Sequence, residues 1–169
     1  MAVVRAVWWQ CVLAAVGCAG VVACEPQRPP TPVASPPADG GAGLAVRFDA
    51  GPVLTAAEYL ADPRFAAADL ARGELLSLAC AACHTFRADQ GTLVGPNLHG
   101  VFGRSAATVP GFAYSAALQA AQLVWTPVSL EAWLAEPAGF VVGTTMAFSG
   151  YRSAEDRRDL IAYLLQATQ

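Results

Sequence analysis

At 169 residues the chain has room for one domain of ordinary size plus a tail. Apolar residues make up 55% of it, charged residues 14%, and the net charge is -3. This excludes a charge-rich disordered chain and a nucleic-acid binder, which needs a basic face against phosphates. All ten basic residues are arginine, and the five cysteines (Cys11, Cys18, Cys24, Cys80, Cys83) are odd in number and unevenly spaced, unlike a disulfide framework.

Residues 1–23 read as a signal peptide. One positive charge, Arg5, precedes an uncharged small and apolar run from Ala6 to Ala23. The run ends Val21-Val22-Ala23-Cys24, which resembles a lipobox, with Cys24 the candidate lipidated cysteine; Ala15-Val16-Gly17-Cys18 matches less well. An uncleaved signal anchor and a cleaved signal releasing a soluble product are the rival readings, and all three export the chain. Residues 24–43, with six prolines and three glycines, cannot build a core and read as a polyproline-type tether.

From Leu44 the pattern turns helical. Thr55-Ala-Ala-Glu58 is a capping box, Asp62-Pro63 a helix start, and Asp69 caps a helix running through Leu75, Leu76 and Leu78 into Cys80. Residues 44–68 are thus an extension with short helices, and 69–169 the main domain. Residues 85–112 are loop, rich in glycine and proline. Thr126-Pro127 opens a helix through Leu130, Trp133 and Leu134 that stops before Pro137, and Ser153 caps a terminal helix with Leu160, Ile161, Leu164 and Leu165 on one face. No segment alternates as a strand does, so the expected fold is all-α.

The chemistry sits in Cys80-Ala-Ala-Cys83-His84. In an exported chain this is the attachment string of a c-type haem: two thiols about one helical turn apart reach two vinyl groups, and the adjacent histidine supplies the proximal imidazole. A thioredoxin-like pair wants a βαβ context, zinc wants four ligands, and a local disulfide leaves His84 unexplained. For the sixth iron position Met146, the only methionine left after signal removal, and His99, the only other histidine, are the candidates. Their blander readings are a core gap-filler and a loop hydrogen bond.

Over residues 69–167 the chain resembles the monohaem class I cytochromes c, mitochondrial-type branch. The resemblance is carried by Cys80-Ala-Ala-Cys83-His84-Thr85, Gly95-Pro96-Asn97-Leu98-His99-Gly100, Phe102-Gly103-Arg104, Gly111-Phe112-Ala113-Tyr114-Ser115, Trp125-Thr126, Gly143-Thr144-Thr145-Met146 and Asp159-Leu160-Ile161-Ala162-Tyr163-Leu164, in the family's order. It implies a cytochrome c fold around one covalent haem, with His84 and Met146 as iron ligands and His99 structural. It also implies that the Pro96 carbonyl accepts from the proximal imidazole, that Arg104, Tyr114 and Trp125 donate near the haem propionates, and that Thr144 bonds near the axial sulfur.

The implied function is a membrane-tethered electron carrier facing the periplasm. A quinol-oxidising complex or another cytochrome would be its donor, and an oxidase, reductase or photosynthetic reaction centre its acceptor. The alternatives are a peroxidase or gas-binding protein with a labile sixth ligand, and a fixed electron-entry subunit of a larger enzyme. Departures from the family pattern are the position of Gly73, Leu76 in place of an aromatic, Trp133 in place of a tyrosine, and no counterpart for residues 44–68. The family also docks through a lysine ring. Here there is no lysine, and removal of residues 1–23 leaves nine arginines against thirteen acids, or -4, so docking by a strong basic patch is not expected.

Overall fold

The computed structural model describes residues 51–169, which fall within one unit, Gly41–Gln169. The signal sequence, Cys24 and the proline-rich stretch lie outside the described residues. Among the described residues there are seven helices: α1 Ala56–Leu60, α2 Pro63–Ala66, α3 Leu70–Ala81, α4 Ala116–Ala120, α5 Pro127–Ala135, α6 Pro137–Phe140 and α7 Ala154–Ala167. The only extended pairing among them is an isolated antiparallel bridge between Ser105 and Val124, so the fold is all-α.

Local chemistry sets the helix starts. Thr55 and Glu58 form the capping box, Glu58 N–H donating to Thr55 Oγ1 at 3.2 Å and Thr55 N–H to Glu58 Oε2 at 2.7 Å. Asp62, Asp69, Thr126 and Ser153 each cap the helix that follows. Two helices go beyond the sequence reading. Ser115 caps the short α4, and Pro137, where α5 was expected to stop, does end α5 but also opens the single turn α6.

The frame is the packing of α3 on α7, with α1, α2 and α5 also against α7. Along α7 the residues Leu160, Ile161, Leu164 and Leu165 are almost fully buried, on the expected face. Gly73 is what allows α3 so close: a Cβ there would lie 2.2 Å from the Asp159 carbonyl oxygen and 2.8 Å from Tyr163 Cβ. The buried residues of α3 are accordingly small, Gly73 and Ser77, while Leu75 and Leu78 remain 68% and 63% exposed. Residues 55–66 contribute Tyr59 and Phe65 to the core, which makes them part of the packed body.

Candidate cofactor site

Beneath α3 lies a cavity of about 250 Å³. Cys80 sits on the last turn of α3, and the N–H groups of Cys83 and His84 both donate to its carbonyl, at 3.0 and 2.9 Å. The helical winding therefore continues past Ala81 and carries both cysteines and His84 to the cavity wall. Both are free thiols. Burial pushes the Cys80 thiol up to about 11, which keeps it protonated at neutral pH and makes it a poor redox nucleophile. No three His, Cys, Asp or Glu side chains among the described residues converge as a metal cage, so the zinc reading has no support there.

His84 is held by one bond and one contact. Its Nδ1 lies 2.7 Å from the Pro96 carbonyl oxygen. A carbonyl can only accept, so Nδ1 carries the proton and Nε2 keeps its lone pair for an electrophile. Burial holds the imidazole pKa below its ordinary value, partly opposed by the Pro96 bond, so the neutral, ligating form is favoured. The ring packs on Gly95, where a Cβ would come within 2.4 Å of Cε1. Gly95 N–H in turn donates to the Cys83 carbonyl at 2.8 Å. In the sequence Gly95 stands only as part of a motif; its lack of a Cβ is what admits the His84 ring this close to the backbone.

Met146 lines the same cavity, as do Thr144, Thr145 and Phe148. The loop is fixed at several points. Met146 N–H donates to Thr144 Oγ1 at 3.3 Å, Gly150 at φ +88 passes against the Ala135 carbonyl, and Tyr151 N–H donates to Leu134 O at 2.8 Å. Thr144 thus braces the backbone of Met146. His99 is not among the lining residues; its N–H donates to Asn97 Oδ1, and its Nδ1 is buried without a partner.

The far wall comes from the pairing of residues 103–106 with 123–125. Gly103 N–H donates to Trp125 O, and Trp125 N–H to Arg104 O, at 2.7 and 3.0 Å. Arg104, Trp125 and Tyr114 all line the cavity. Arg104 is the only side chain with a permanent charge among the lining residues, and no carboxylate among the described residues pairs with it. Its Nη1 and Nη2 donate to the carbonyls of His99 and Asn97, at 2.7 and 3.0 Å, and burial lowers its pKa. A half-buried cation in an apolar wall fits a ligand with an anionic group. Tyr114 Oη accepts from Val109 N–H at 3.3 Å, which leaves the hydroxyl proton to donate. Trp133 closes the wall, its ring edge-on to Trp125 and Phe140 at 5.4 and 6.4 Å between centroids.

The donor set fits a covalently held haem. Two free thiols stand beside an imidazole with a fixed tautomer, a thioether side chain lines the same apolar cavity, and one cation is available for carboxylates.

No family model matches the chain. It is similar to the protein described as cytochrome c of Chlamydomonas reinhardtii, 46% identical over 103 residues that cover 60% of this chain and 92% of that one. It is also 40% identical over 105 residues to cytochrome c of Gibberella zeae, covering 62% and 99%. Among solved structures, cytochrome cH from Methylobacterium extorquens superposes with a TM-score of 0.54 at 40% identity, covering 58% of this chain and 98% of that one.

Proposed function

The chain belongs to the cytochrome c family, an electron carrier with one haem c held covalently through Cys80 and Cys83, and we propose that it works tethered to a membrane with His84 and Met146 as iron ligands. The observation that carries the ligand assignment is that both residues line one cavity in which His84 is locked as the Nδ1–H tautomer. His99 is outside that lining.

When bound, the haem supplies an iron that gains and loses one electron without a proton. The protein's part is to hold and to exclude. Pro96 fixes the proton at Nδ1 of His84 and strengthens the donor at Nε2. Trp125, Trp133, Leu130 and Leu164 wall the cavity against water, and low solvent access favours the less charged, reduced state. Arg104 and the Tyr114 hydroxyl offer donors to carboxylate groups of the ligand. No proton-transfer residue is needed.

The tether reading rests on sequence: the Val21-Val22-Ala23-Cys24 lipobox and the proline-rich stretch after it. In this proposal the domain faces the periplasm. It accepts electrons from a quinol-oxidising complex or another cytochrome and passes them to an oxidase, reductase or reaction centre.

The test is an optical spectrum of matured full-length protein, ferric, then reduced, then with carbon monoxide. A ferric sulfur-to-iron charge-transfer band and indifference to the gas are expected. A high-spin spectrum that shifts with carbon monoxide would overturn Met146 ligation and favour the peroxidase or gas-binding alternative. Detergent partition and mass of the N-terminal peptide test the lipid on Cys24.

A further inference from the structure

On α3 and its C-cap the residues turned away from α7 include Ala71, Leu75, Leu78, Ala79 and the cap residue Ala82, all exposed. Their spacing puts them on one stripe of the helix, opposite Gly73 and Ser77. A solvated helix face normally carries charge. Here Arg72 and Glu74 only flank the stripe, and Arg72 is paired with Asp156.

The stripe runs into the mouth of the cavity. Ala79 is exposed and lines it. The Gly95–Cys83 bond brings the neighbouring loop to the end of α3, where Val94 lines the cavity while 80% exposed and Leu93 is 57% exposed. The remaining exposed lining residues, Ser105, Thr145 and Ala147, are uncharged. No exposed residue of the cavity lining therefore carries a charge with which to steer a partner.

We propose that Leu75, Leu78 and Ala79 of α3 and its C-cap Ala82, with Leu93 and Val94, form the docking face for the redox partner, which meets it with an apolar, uncharged face of its own. This rests on the electron-carrier reading. A charged partner face would lose hydration here without gaining ion pairs. Area separates a passing partner from a permanent one. Burying one leucine removes on the order of 100 Å² of apolar surface from water. The whole face therefore offers roughly 400 Å², about half of the ~800 Å² per partner in a stable interface. Contact of that size suits an encounter that must end once the electron has crossed.

A second copy of this chain presents such a face and serves as the probe. Electron self-exchange is measured by NMR line broadening in mixtures of reduced and oxidised full-length holoprotein, one copy losing the electron its partner gains. The wild-type rate should change less than about threefold between low and high salt, because no charge pairs or repels at the contact. Leu78→Glu and Val94→Glu should each slow exchange by roughly tenfold, with partial recovery in salt, because like charges then face each other. Val128→Glu, at an exposed site on α5 outside the cavity lining, should leave the rate unchanged. The ligation spectrum should be unaltered in all three variants, and the midpoint potential in Leu78→Glu and Val128→Glu, which lie outside the cavity lining. The exchange rate of Val94→Glu is compared after its own potential has been measured, because Val94 lines the cavity.

A steep salt dependence of the wild type, or wild-type rates in both rim variants, would overturn the proposal. So would a Leu78→Glu variant that loses thermal stability at unchanged exchange rate, since that pattern means residues 1–50 of the chain cover the stripe. Absence of reducible haem in the wild type would instead refute the electron-carrier reading.

Discussion

Gly95→Ala tests how the site is built. The added Cβ would stand 2.4 Å from Cε1, 2.7 Å from Nδ1 and 2.8 Å from Nε2 of His84, about 1 Å inside ordinary contact at ~3.5 Å. The ring cannot simply rotate away, because Nδ1 is bound to Pro96 at 2.7 Å. The glycine cannot retreat freely either, because its N–H is bound to the Cys83 carbonyl. One of these bonds must stretch or break. Overpacking of this kind costs about 1–3 kcal/mol, and a lost hydrogen bond about 0.5–1.5 kcal/mol, so a loss of roughly 2–4 kcal/mol is expected. In a domain of this size that lowers the melting temperature by roughly 10 °C. If the Pro96 bond is the one that yields, the imidazole becomes a weaker donor and the ferric state loses more than the ferrous. The midpoint potential then rises by on the order of tens of mV. Thermal unfolding and a redox titration of the holoprotein read both effects. Gly91→Ala is the control, since a Cβ there meets nothing within 4 Å. A Gly95→Ala variant with wild-type stability and potential would refute the reasoning.

Other positions give sharper or simpler readouts. Met146→Ala should produce a high-spin ferric spectrum and rapid carbon monoxide binding, whereas His99→Ala, outside the cavity lining, should keep the low-spin spectrum; the two spectra decide the sixth ligand. Gly73→Ala forces a Cβ to 2.2 Å from the Asp159 carbonyl, backbone against backbone. Urea unfolding should show a loss of about 3 kcal/mol or more. Tyr151→Phe removes the bond from Tyr151 Oη to Leu76 O, 2.8 Å long, and should destabilise the protein by about 1 kcal/mol. The phenol pKa of Tyr151 is raised, chiefly by burial. The native protein therefore keeps a proton that the unfolded chain gives up near pH 10. Its stabilising effect is complete below that pH and declines as pH rises through the native value. In Tyr151→Phe that part of the alkaline decline should be missing, as unfolding curves between pH 9 and 11 will show.

Local signals were the ones legible in sequence. The caps at Thr55, Asp62, Asp69, Thr126 and Ser153 formed because a side-chain oxygen and an N–H two or three residues on settle a helix start between them. The Cys80–His84 string was legible for the same reason. What escaped depended on distant partners. Nothing in the local pattern of α3 tells which side is buried: Gly73 and Ser77 take it because the carbonyl of Asp159 passes too close to Gly73 for anything larger there. The role of Gly95 exists only once His84 has folded against it. Tyr59 and Phe65 carry no family pattern, and their place in the core follows from the packing of α1 and α2 on α7.

α3 joins these strands of argument. Its small-residue side lets α7 approach and so builds the core, and its last turn delivers Cys80, with Cys83 and His84 following. The side left over carries Leu75 and Leu78, which the core cannot use and which water disfavours. Two exposed leucines add nothing to the fold, and the contact with α7 would survive their replacement by charge. A substitution on this side should therefore separate docking from stability, whereas one on the Gly73 side should damage the core and, through the turn at Cys80, the site as well.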